Sequence, residues 1–286
     1  MQQIYSVHTA GGFSWSLGVL GTSDSDRIAT FSFHTLQELA VATSTAVPEE
    51  QGLSEPQRII NTYVAPSKTF DDLKRNSSWW VPWLLASIVS LLFVYTVDKK
   101  ITFEQSTINQ IQKSARADQF DKLPADQKAQ QIAISTKITK YISYSIPVLI
   151  LIINLIVAAV IMGIFNLGLG AALPFKRTLA IVYYAGLPFL ISSILAIISM
   201  QFIDPEAFNV QNPVATNPAY FMDPYTSSKF LYGIASAFDI FVFWVIALMA
   251  IGVSRNSKVK AGTAFGAIFA VYFLYKLIGA GFATMF

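Results

Sequence analysis

Two ionisable side chains stand inside apolar runs that otherwise carry no charge. Asp239 is the one charged residue in the 24-residue stretch FLYGIASAFDIFVFWVIALMAIGV (Phe230–Val253), and Lys276 interrupts AVYFLYKLIGAGF in the last run of the chain. Counted from the short connection between these runs, Asp239 lies 14 residues before Val253 and Lys276 lies 15 after Ala261. At about 1.5 Å per helical residue, both sit roughly 21–23 Å from that end. An ion pair between Asp239 and Lys276 is therefore the leading expectation. The alternatives are a Lys276 that snorkels to the interface, an Asp239 kept neutral by desolvation, and a carboxylate that carries an ion or proton. Ser236 falls on the Asp239 stripe at i−3, and Asn154, Ser192 and Ser193 occupy the same half of neighbouring runs. Together they define a candidate polar cluster.

Other chemistries lack their residues. The chain has no cysteine, so thiolate metal sites, disulfides and cysteine nucleophiles are excluded. Both histidines, His8 and His34, precede the first apolar run, which removes an imidazole base or metal ligand from the runs themselves. Gly168 and Gly170 lack the following Lys-Ser/Thr of a phosphate loop. No cofactor and no metal are expected, and nothing points to an enzyme. The net charge of +3 gives no reason to invoke nucleic acid.

The elements that position Asp239 and Lys276 follow from hydropathy. The chain is 53% hydrophobic and 13% charged, against about 25% charged in ordinary soluble domains. Five runs reach the roughly 18 residues that a helical span needs: residues 79–97, 146–165, 179–203, 230–253 and 261–286. The runs are too continuous for barrel strands. The fold class is all-α, a polytopic helical membrane protein of five spans. Between the first two spans, EQSTINQIQKSARADQF and ADQKAQQIAISTKITKYI both read as helical around a DKLP turn, predicting an extramembrane helical hairpin. Pro188 predicts a kink in the third span. Residues 204–229 hold four prolines and read as a loop.

The flanks are less regular. Residues 1–53 read as a disordered tail, with a second expectation that translation starts near Val41. In residues 54–78, Ser54-Glu55-Pro56 starts a helix and Ser67 caps a second. The segment reads as an amphipathic juxtamembrane anchor on the membrane surface, with docking of a protein partner as the alternative. Lys74, Arg75, Trp79, Trp80 and Trp83 form a basic and aromatic collar at the interface. The second and fourth connections, NLGLGAALPFKR and SRNSKVK, are purely basic, whereas the third is acidic. Positive-inside bias then places the N-terminus in the cytoplasm.

The stretch RIINTYVAPSKTFDDLKRNSSWWVPWLLASIVS resembles the membrane entry of bacterial members of the Yip-one domain (Ypt-interacting protein) family, in which a P-S-x-x-F element precedes a basic pair, a tryptophan and a proline. Here these are Pro66, Ser67, Phe70, Lys74, Arg75, Trp80 and Pro82. The chain's last two runs resemble the family's closing hairpin through Asp239, Trp244, Gly252, Lys260 and Lys276. The resemblance implies a multi-pass integral membrane protein, here of a bacterial inner membrane. The leading expectation for its function is a non-enzymatic scaffold or organising protein acting through lipids, protein partners or further copies of itself. Eukaryotic members are linked to Rab GTPases and carry a D-L-Y-G-P element. This chain lacks it, which argues against a Rab-type partner. The alternative function is a small-molecule or ion transporter built on the cluster around Asp239.

Overall fold

The computed structural model describes residues 6–8, 14–16, 52–112, 114, 117–223 and 227–283. The chain divides into two units, Met1–Gln51 and Gly52–Phe286. In the first, strands β1 (Ser6–His8) and β2 (Ser14–Ser16) pair antiparallel, with Val7 opposite Trp15. The expectation of a disordered tail over residues 1–53 otherwise falls almost wholly outside the described residues.

Among the described residues, the regular elements of the second unit are all helices. Helix α1 (Glu55–Val64) starts where Ser54 and Gln57 exchange hydrogen bonds in a capping box, with a proline in the first turn. Pro66 opens α2 (Pro66–Asp72). The cap position there is Ala65, and Ser67 lies exposed inside the helix, so the expected Ser67 cap is replaced by proline at the first helical position. The first span is α3 (Trp80–Thr96), extended by a π turn to Ile101. Beyond it lie α4 (Phe103–Gln112), α5 (Ala117–Asp121) and α6 (Ala125–Tyr144). The predicted hairpin is present, with α6 returning along α4.

After a single turn at Ser145 comes the second span, α7 (Ile146–Gly163), with a π turn to Gly168. The third comprises α8 (Phe175–Ala185) and α9 (Pro188–Ser199), joined through Gly186 and Leu187 where Pro188 was expected to kink the helix. It begins and ends four residues earlier than the hydropathy run suggests. The closing elements are α10 (Lys229–Ala235), α11 (Ile240–Asn256) and α12 (Ala261–Phe282).

Four helices or helix pairs are long and apolar enough to cross a bilayer, and α10 with α11 makes a fifth span bent by 50°. The fourth apolar run is thus two helices meeting at residues 236–239, not one. Helix α8 lies at the centre. Every residue from Thr178 to Ala185 is buried, packed among α1, α3, α7 and α11. The outer helices turn apolar side chains outward, Val148, Ile152, Ile153 and Ile156 of α7 among them. An exposed face of that kind is stable in lipid and costly in water.

Contacts sort the connections into two ends. At one, α2 meets the C-terminal end of α11 through Asn256 Nδ2, which donates to Phe70 O at 2.9 Å. At the other, Asn109 Nδ2 of α4 donates to Pro205 O and Phe208 O at 2.8 and 3.0 Å, tying the first connection to the third. A second small core there unites Val94, Ile101, Phe103, Met200 and Phe208.

Candidate functional site

The break in the fourth span is built by Asp239. Its backbone is extended (φ −88°, ψ 131°), and its carboxylate caps α11 by accepting from Phe241 N at 2.9 Å and Val242 N at 3.3 Å. A helix start leaves four N–H groups without intrahelical partners, and in a membrane no water replaces them. A short acceptor at the N-cap satisfies two of them and opposes the positive end of the helix dipole. The other carboxylate oxygen accepts from Thr216 Oγ1 and, at 3.3 Å, from Asn217 Nδ2. Ile240 N donates to Thr216 O at 3.1 Å. The third connection is therefore stitched onto the helix break.

The preceding helix end is satisfied in the same manner. Ala237 O accepts from Tyr272 Oη at 3.1 Å, and Ser236 Oγ donates to Gly233 O at 2.8 Å. Lys276 Nζ donates to Ser236 Oγ at 2.9 Å. Gly233 faces α12 so closely that an added Cβ would meet Ala280 Cβ at 2.9 Å. Among the described residues, no ion pair within 4.0 Å joins Asp239 to Lys276. Lys276 reaches Ser236, three residues before Asp239, and Asp239 and Lys276 line one cavity. Their direct partners differ, because the helix breaks at Asp239 and turns the carboxylate toward its own N–H groups.

Asp239 and Lys276 line a cavity of about 620 Å³ together with Ser192 and Ser236. Asn154 and Ser193 do not join them. They line a separate cavity of about 350 Å³ between α3, α7, α8, α9 and α11, so the expected cluster divides in two. One wall of the larger cavity is an amide pair: Asn217 Nδ2 donates to Asn212 Oδ1 at 2.8 Å and Asn212 Nδ2 to Asn217 Oδ1 at 3.3 Å. Tyr232 Oη accepts from Asn209 Nδ2 at 3.1 Å on the same side.

A second polar centre lies at the opposite end and was not anticipated. Arg58 is fully buried between α1 and α2, with Nε 2.6 Å from Asp72 Oδ2 and Nη1 3.1 Å from Glu55 Oε1. Tyr184 Oη donates to Glu55 Oε2 at 2.6 Å, and Thr62 and Thr69 both donate to Arg58 O at 2.8 Å. Burial lowers the Arg58 pKa, but hydrogen bonds to Asp72 and Tyr184 outweigh it and hold the guanidinium above its ordinary range. Burial likewise pushes the Asp72 carboxyl up. The bonds from Arg75 and Arg58 prevail and hold it below the usual carboxylate range. Asp71 follows the same pattern, with Arg255 and Lys74 overcoming partial burial. Residues 54–78 are thus a docked helical hairpin, with Phe70 and Leu73 fully buried and Tyr63 Oη donating to Leu187 O at 2.8 Å.

The remaining singled-out residues fall mostly around that hairpin. Trp79 stacks on Tyr183 with centroids 5.4 Å apart, and Trp83 Nε1 donates to Pro147 O at 3.2 Å. Both are packing residues, and Trp80 is the collar tryptophan that faces outward. Lys74 and Arg75 pair with Asp71 and Asp72 at 2.9 and 3.0 Å. Trp244 meets Tyr63 edge-on at 5.9 Å. Gly252 admits Ile181 and Phe70, and a Cβ there would approach them to 2.5 and 3.0 Å. Lys260 is exposed at the cap position of α12. A sequence signal for the Arg58 centre existed in the Glu55–Arg58 spacing and the Asp71-Asp72 pair. Tyr184, 129 residues from Glu55, carried none.

A helical bundle of four or five apolar spans, one broken around a polar cavity, defines a polytopic integral membrane protein. Residues 60–282, most of the chain, match the Yip1 domain, and the chain belongs to that family. No curated protein and no solved structure gives a significant match.

Proposed function

We propose that this Yip1-domain protein is a non-enzymatic membrane organiser that works through protein or lipid partners. The observation that carries the reading is α6. None of its residues is buried, and Ile134, Ile138, Tyr141 and Ile142 are each more than half exposed. At i, i+4, i+7 and i+8 they form one helix stripe, on a charged helix that extends the second span. An apolar stripe held past the bilayer is a contact surface in search of cover. The outward face of α1, with Ile60 and Val64 exposed, is a second such surface within residues 54–78.

The orientation proposed is an N-terminal side in the cytoplasm of a bacterial inner membrane. Its support is the gathering of Lys176, Arg177, Arg255, Lys258 and Lys260 in the second and fourth connections.

The cysteine-free chain allows a direct test. Ile138→Cys carrying a photocrosslinker, expressed in native membranes, is expected to give a discrete adduct of defined mass. Adding Ile134→Asp and Tyr141→Asp should remove it. No adduct, or one indifferent to the aspartates, contradicts the reading. A second reading, carriage of a small molecule or ion, is favoured by the discontinuous fourth span, since broken helices build many transport sites. Asparagine keeps the cap oxygen and removes only charge, so flux in proteoliposomes abolished by Asp239→Asn would support carriage. Absence of flux for phosphate, amino acids and monovalent ions would remove it.

A further inference from the structure

The cavity at the break carries a charge imbalance. Asp239 lines it, but both carboxylate oxygens are already engaged, one by the Phe241 and Val242 N–H groups and the other by Thr216 and Asn217. The N-terminal end of α11 further offsets this charge. Lys276 lines the same cavity, and its hydrogen bond goes to a neutral hydroxyl, Ser236 Oγ. Among the described residues it has no carboxylate within 4.0 Å. A second ammonium, Lys229, stands on the rim with interactions of its own. A half-buried ammonium with no carboxylate in contact is costly; Asp239 acts on it only across the cavity, and an anion entering the cavity lowers that cost.

The neutral lining fits an oxyanion. The hydroxyls of Tyr232 and Tyr275 offer short-range donors in the same lining, and about 620 Å³ accommodates a headgroup-sized ligand. The apolar part of the wall, Phe189, Val214 and Val242, adjoins helix faces whose side chains point outward, including Leu231, Phe238 and Ile278. A ligand with a phosphate at the level of the break and hydrocarbon along α10 and α12 satisfies both. A choline cation finds no free carboxylate here, because Asp239 is committed to its cap.

We infer that the cavity at the break of the fourth span binds a phosphate-bearing anion, with Lys276 as its counter-charge and an anionic phospholipid headgroup as its source. This rests on the cavity and its charges and does not depend on α6 being a partner contact.

The full chain in nanodiscs of phosphatidylcholine and phosphatidylglycerol, examined by native mass spectrometry, tests it. Wild type is expected to retain phosphatidylglycerol in preference to phosphatidylcholine. Lys276→Met should weaken retention by about ten- to a hundredfold, the worth of one charge-assisted hydrogen bond. Lys276→Arg should keep it, and Ser192→Phe, which fills the cavity without touching a charge, should lower it. A second arm titrates inorganic phosphate into discs of phosphatidylcholine alone by calorimetry. Heat that Lys276→Met abolishes would assign the same site to soluble phosphate. Retention unchanged by Ser192→Phe, with no phosphate heat, overturns the proposal even if Lys276→Met fails to fold. So does a wild type that retains neither lipid preferentially and gives no heat.

Discussion

The two polar centres of this protein are built from similar charges and end in opposite states. At the α1–α2 end, Arg58 is enclosed by Asp72 and Glu55, and Asp72 is shared with Arg75. No cavity opens beside it among those described. At the broken span, one carboxylate and one ammonium share a cavity without meeting, the carboxylate spent on backbone and the ammonium on a serine. Each charge in the first has an opposite charge in contact, and although Arg58 Nη2 is left without a hydrogen-bond partner, that pairing marks it as architecture. The second leaves its ammonium with no carboxylate in contact, and that is where a binding site would differ from a brace.

The largest consequence falls on the paired centre. Arg58→Met should lower stability in detergent by about 3 kcal/mol, near the bottom of the usual range for an orphaned buried partner because Arg75 still holds Asp72. Thermal unfolding measures it, and a loss within error would mean that the hairpin docks by apolar packing alone. Acid should act on the same end, less strongly because Asp71 is partly exposed and screened. Asp71 and Asp72 titrate below their usual range when folded. Their contribution is therefore complete above the unfolded carboxylate pKa of about 3.9 and is lost as pH falls through the lower folded values. Limited proteolysis across that window should show the α1–α2 segment released before the spans. A segment that loosens instead as pH rises has the sign reversed and refutes the assignment. Smallest is the cap. Asp239→Ala should cost about 1 kcal/mol and Asp239→Asn a few tenths, and equal losses would show that charge, not capping, is what Asp239 supplies.

Hydropathy and punctuation were enough to find the spans, the helical hairpin between the first two, and the Pro188 kink. They were not enough to find the break. A window average is barely moved by one aspartate, so Ser236–Asp239 passed as the middle of a helix. Yet Asp239 followed by Ile-Phe-Val-Phe is the ordinary pattern of a capped helix start, and weighing capping against continuity would have exposed it. Spacing put Lys276 and Asp239 at one depth, but depth along an axis does not say where a carboxylate points. The docking of residues 54–78 was beyond local reading for a different reason. An amphipathic helix fits a membrane surface and a protein groove equally well, and what decides here is Tyr184, Leu187 and Gly252, all more than a hundred residues away. Within the tryptophan collar, Trp79 stacks on Tyr183 and Trp83 Nε1 donates to Pro147 O, while Trp80 faces outward.

A double-mutant cycle on Asp239 and Lys276, read by unfolding in detergent, separates a brace from a binding site most directly. With Asp239→Asn, Lys276→Met and the double variant, near-additive losses are expected, and a coupling well below that of a parallel Arg58→Met and Asp72→Asn cycle. A double variant that recovers most of what the single changes lose would show that the two charges hold each other, and that the cavity has no charge to offer a ligand.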